Sequence, residues 1–96
     1  MNRDERSTAL PSPAQELLRQ ASQALQQGDR ARGLQLAQQV VRGYPDHPEA
    51  LRQLASALAA NGRAQEAVAV IDPVVAGHPD DPELLNTQAI VLETAG

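Results

Sequence analysis

Few side chains in this 96-residue chain carry chemistry, and their spacing assembles no catalyst. There are two histidines, His47 and His78, and no cysteine. Two histidines sharing a metal from one helix face stand three or four residues apart; these are 31 apart, each in a Pro/Asp turn where a histidine faces solvent. Without cysteine there is no disulfide and no thiolate metal site. Ser22 and Ser56 have no His or Lys at a spacing that would activate a hydroxyl. Glu49 and Glu83 each follow a proline at the start of a helical pattern, where a carboxylate complements the helix dipole. No acid/base pair, phosphate loop or metal cluster is written in the chain, so the expectation is no enzyme, no catalytic residue, no cofactor and no metal.

The strongest signal is periodic. Gly28, Gly62 and Gly96 stand 34 residues apart, as do Leu17, Leu51 and Leu85, and Ala21, Ala55 and Ala89; Pro45 and Pro79 keep the same step. Residues 14–47 laid over 48–81 match at nine of 34 positions, and 48–62 over 82–96 at six of 15. The matches fall on glycine and proline as well as on apolar positions, which low complexity does not produce. A period of this length means stacked helical hairpins. The chain thus divides into a mobile polar tail over 1–11 and one domain over 12–96. That domain holds repeat one at 14–47, repeat two at 48–81 and a half repeat at 82–96.

Local punctuation places five helices. Ser12 reads as an N-cap with Pro13 at the first helical position and Gln15 completing a capping box. Gly28 and Gly62 stop the first and third helices in left-handed backbone. Asp29 caps the second, which ends before Pro45. Asp46-His47-Pro48-Glu49 starts the third with a capping aspartate, and Asp80-Asp81-Pro82-Glu83 starts the fifth in the same way. Pro73 falls inside the fourth and predicts a kink or a break there. Aromatic content is 1%, with Tyr44 alone, so Leu, Val, Ile and Ala must build the core. Net charge is −4, carried by the repeat region, which argues against nucleic acid and anionic membrane as partners. No apolar leader or membrane-length stretch is present, so the expected location is cytoplasmic, or periplasmic if a leader was removed. All eight basic residues are Arg, which suits a GC-rich, bacterial genome.

The pattern resembles the tetratricopeptide repeat. That family carries a large apolar residue at position 4, a small one at 8, Gly near 15, a small one at 20 and 27, and Pro at 32. Leu17/Leu51, Ala21/Ala55, Gly28/Gly62, Gly33/Ala67, Val40/Val74 and Pro45/Pro79 occupy those places, and the third unit opens with Leu85, Ala89 and Gly96. The family's aromatics are replaced by Leu, Ala and Ile, Val40 and Val74 are larger than the usual residue at 27, and Gly33 in a helix interior costs about 1 kcal/mol relative to Ala. The resemblance covers about 12–96 and implies an all-α, right-handed superhelix of antiparallel helix hairpins. It also implies a concave groove, lined by the first helix of each pair, that takes a peptide or protein segment. The groove positions it assigns are Arg19, Ser22 and Gln26, then Arg52, Gln53 and Ser56, then Asn86 and Ile90. Arg19, Arg52 and Asn86 have the donors to hold a carboxylate or a peptide backbone. The family's clamp for a C-terminal carboxylate is not expected, because Leu18 and Ser22 stand where it begins and Glu83 where a basic residue is needed.

The fifth helix is apolar on more than one face, and the second helix of its unit does not follow. Either the array is cut from a longer one, or this helix serves as an end cap. Leu84, Ile90 and Val91 are therefore the expected self-association residues of a homodimer. Three readings follow: a peptide- or protein-binding scaffold, an assembly module using the last helix, and an adaptor at the N-terminal side of a larger transferase or hydroxylase.

Overall fold

The punctuation residues set the architecture. The computed structural model describes residues 9–96 and gives five helices: α1 (Ser12–Gln26), α2 (Arg30–Gly43), α3 (Pro48–Ala60), α4 (Ala64–Gly77) and α5 (Pro82–Ala95). Among the described residues there is no strand. Gly28 and Gly62 have φ of +86° and +76°. Each closes the same pair of backbone bonds one repeat apart: Gly28 N–H to Leu25 O and Asp29 N–H to Ala24 O, then Gly62 N–H to Ala59 O and Arg63 N–H to Leu58 O. Left-handed backbone is what lets these amides turn back on the last carbonyls.

The helix starts differ in part from those expected. Asp29 caps α2 by accepting from the Arg32 amide, and Asp81 caps α5 by accepting from Glu83 and Leu84. In α3 the cap is His47 rather than Asp46: its Nδ1 accepts from the Glu49 amide at 3.1 Å. His47 and Asp81 are one period apart, so an imidazole nitrogen accepts here where a carboxylate accepts there. Ser12 lies inside α1; Pro11 is its N-cap residue, and no side chain caps it. Gln15 instead donates from Nε2 to the Leu10 carbonyl at 2.7 Å. Leu10 is buried with Ala14, Leu18, Val40 and Ala50, and that packing fixes the approach to α1. Of the tail expected over 1–11, residues 1–8 lie outside those described, and Leu10 is part of the core. Pro73 does not break α4, which runs through it. The carbonyl left without a partner is that of Ala69, an exposed residue where water can satisfy it.

α1 with α2 and α3 with α4 form antiparallel hairpins; α3 packs on α2, and α5 on α4. α3 also touches both α1 and α5, so the first helix of each unit lines one side of the stack. Asn61 ties the hairpins together, its Nδ2 donating to the carbonyls of Arg30 and Ala57. The result is elongated, 44 × 27 × 19 Å. Ala21, Ala37, Ala50, Ala55, Ala57 and Ala67 are fully buried, so small residues at the crossings replace the missing aromatics by bringing helices close. Gly33 extends this logic. A Cβ there would lie 2.6 Å from Leu25 Cδ2 and 3.2 Å from the Ala21 carbonyl oxygen, so the glycine allows α2 its closest approach to α1.

Candidate functional site

The shared side of α1, α3 and α5 carries two open cavities that meet at one residue. Between α1 and α3, a space of about 330 Å³ is lined by Leu10, Gln15, Leu18, Arg19, Ser22, Glu49 and Gln53. Between the N-terminal turns of α3 and α5, a second of about 450 Å³ is lined by Asp46, His47, His78 and Asp81 of the connections with Pro48, Glu49, Arg52, Glu83 and Leu84 of the helices. Glu49 borders both, so the two form one interrupted groove along the stack. The helix starts that position this groove are the ones capped by His47 and Asp81.

Of the residues expected in a groove, Arg19, Ser22 and Gln53 share the first cavity and Arg52 lines the second. Gln26, Ser56, Asn86 and Ile90 line neither, although Asn86 and Ile90 are exposed on α5. Leu10, Asp46, Asp81 and the two histidines are additional lining residues that the sequence reading did not place there. His47 and Asp81 carried a signal in the sequence: both occupy the residue just before the helix-starting proline.

The arginines are already engaged. Arg52 makes a two-pronged contact with Glu49 on its own helix, Nε to Oε1 at 3.2 Å and Nη2 to Oε2 at 2.5 Å. Its side chain is only 20% exposed. The Glu49 hydrogen bond holds the Arg52 guanidinium above its ordinary pKa against the opposing effect of burial, and the charges of Glu49, Glu83 and Asp81 add to this. Arg19 is likewise paired with Glu16. An incoming carboxylate would have to displace Glu49 from Arg52, whereas Arg19, 69% exposed and paired through Nη2 alone, keeps its other donors in solvent. The spacing of three between Glu16 and Arg19, and between Glu49 and Arg52, was a readable sign of this pairing. Around the second cavity, four carboxylates (Asp46, Glu49, Asp81, Glu83) face one guanidinium. Such a surface repels anions and suits cations.

The last helix needs one correction. Leu84 and Val91, expected on a self-association face, are 2% and 1% exposed and belong to the core packed against the rest of the stack. Ile90 is 52% exposed, and the other exposed large apolar residues of α5 are Leu85 and Leu92. Helical spacing puts Ile90 about 140° around the helix from Leu85, so these do not make one face. Among the described residues no group of three or more His, Cys, Asp or Glu is arranged to hold a metal, and no helix is long and apolar enough to cross a membrane.

Comparison with family models gives a match over residues 24–90, more than half of the chain, to a model described as tetratricopeptide repeat. Neither the curated proteins nor the solved structures give a match.

Proposed function

The chain belongs to the tetratricopeptide repeat family, and on that premise we propose that it is a binding scaffold holding an extended, cationic segment of another protein in the groove of α1, α3 and α5. Repeats of this family generally mediate protein–protein interaction, and the reading gives that role a surface and a ligand chemistry. The observation that carries it is the pair of cavities joined at Glu49, on the one side of the stack that all three first helices share. Leu10 and Leu18 supply an apolar floor at one end, and the carboxylates around Arg52 supply negative charge at the other. With Arg52 occupied by Glu49 of its own helix and four carboxylates around it, the segment is recognised by its Lys or Arg side chains and its backbone, not by a terminal carboxylate. The same charge disfavours nucleic acid and anionic membrane as ligands of this face.

Selection from a random peptide library tests the reading, followed by affinity measurements on two surface variants. Ser22→Arg plugs the α1–α3 cavity, and Glu83→Lys reverses a charge at the α3–α5 cavity; neither position is in the core. The expected outcome is a set of net-cationic peptides whose affinity falls at least about tenfold, or ~1.4 kcal/mol, with Ser22→Arg. Glu83→Lys should cost about threefold, and salt should weaken binding. Enrichment of acidic peptides, or indifference to both variants, contradicts it. A homodimer through α5 is the second reading, favoured by exposed Leu85 and Leu92, and sedimentation at several concentrations decides it.

A further inference from the structure

The two cavities of the groove compare position by position through the internal repeat. Leu18 lines the first, and its counterpart one period on, Arg52, lines the second; in the same way Gln15 gives way to Glu49, and Glu49 to Glu83. The backbone repeats and the chemistry does not. In the first cavity Leu10 and Leu18, both buried, form the floor, with Gln15, Ser22 and Gln53 uncharged around it. Its two charged residues, Arg19 and Glu49, are of opposite sign. An ammonium entering there would lose its water against leucine, whereas an aliphatic side chain covers the same leucines at a gain.

The second cavity selects the opposite chemistry. Its one guanidinium is held by Glu49, and Asp81 is engaged with the Glu83 and Leu84 amides that it caps. Glu83 is exposed and takes part in none of the ion pairs among the described residues. Pro48 and Leu84 give the same cavity apolar surface. A long basic side chain uses both, its methylenes lying on Pro48 and Leu84 and its charged head meeting Glu83.

The stack also sets the distance between the two seats. One lies between α1 and α3 and the other between α3 and α5, with Glu49 bordering both, so they are one helix spacing apart, about 8–10 Å. A β-strand returns to the same side every second residue, after about 7 Å and then about 13 Å. A polyproline II segment returns every third, after about 9 Å. Only the second geometry fits.

We infer that the groove reads a polyproline II segment of another protein carrying an aliphatic residue and a Lys or Arg three positions apart, in either direction. The aliphatic residue takes the Leu10–Leu18 cavity and the basic one meets Glu83. This rests on the groove reading above and adds to it two seats of different chemistry and the spacing between them. The probe is the tightest peptide from the library selection, acetylated, amidated and labelled, titrated with the full 96-residue chain by fluorescence anisotropy. The selected peptides should share an aliphatic–basic pair at a spacing of three. Moving the basic residue of the probe by one position either way should weaken binding at least about threefold. Replacing the aliphatic residue by Ala should cost about tenfold and replacing the basic one about threefold. With Ser22→Arg the first replacement should cost nothing further and the second its full amount; with Glu83→Lys the pattern reverses. Circular dichroism checks that both variants fold. Cationic peptides without that pair, tolerance of any spacing, or variants that respond alike to both replacements overturn the inference and leave the groove reading standing. Selection of acidic peptides, or of none, overturns both.

Discussion

At the scale of single residues, Gly33 decides how closely two helices meet. An alanine there gains about 1 kcal/mol of helix propensity, but its Cβ meets Leu25 and the Ala21 carbonyl, and overpacking of that kind costs roughly 1–3 kcal/mol. The carbonyl belongs to backbone and moves little, whereas Leu25 is half-buried and can turn aside. Gly33→Ala should therefore destabilise by about 1 kcal/mol in urea unfolding. The loss should shrink when Leu25 is Ala, with a coupling of about 0.5 kcal/mol or more. Additive effects would show that the approach is not tight. The sequence marked Gly33 as a poor helix former at a place where the repeat pattern carries a small residue; the contact with Leu25 and the Ala21 carbonyl that requires it is between helices. Arg52 is the opposite case. Its pairing with Glu49 was legible as a spacing of three, yet its groove position alone made it resemble a free carboxylate grip.

At the scale of helices, boundaries were readable because glycine and proline act on their own backbone. Gly28, Gly62, Pro48 and Pro82 mark their helix ends without help from the rest of the fold. Caps were less readable: in α3 and α5 the residue just before the proline caps, His47 over Asp46 and Asp81 over Asp80, whereas Ser12 before Pro13 lies inside α1 and caps nothing. Asp81→Ala, which loses two amide partners, should cost about 1 kcal/mol, and Asp46→Ala nearly nothing. Thermal unfolding of the two variants compares them directly. Of the kink or break expected at Pro73 the break does not occur, and α4 continues past it with the carbonyl four residues back on an exposed residue. Pro73→Ala restores that bond and a better helix former, against a more flexible unfolded chain. It should raise stability by about 1 kcal/mol. The rotation of α5 was the hardest part to read. Its apolar residues fall on several faces, and contact with α4 chooses Leu84 and Val91 over Leu85 and Leu92 for the core.

At the scale of the whole molecule, stability in a stack of hairpins is close to a sum of units and their nearest-neighbour interfaces. α5 contacts α3 and α4 alone among the described helices, whereas α3 contacts all four others, so amide hydrogen exchange should show α5 opening more readily than α3. The core of alanine and branched aliphatics leaves little reserve, as expected for so small a chain. The repeat placed the groove as a side of the stack; its charge emerged only when helix starts from different repeats came together around Arg52. The central claim, that this groove holds a cationic segment, is tested most directly by amide chemical-shift mapping of the labelled chain with a selected peptide. The account predicts shifts concentrated at Ser22, Glu49, Arg52 and Gln53, with the outward faces of α2 and α4 unmoved. Shifts confined to those outward faces, with α1 and α3 silent, would contradict it.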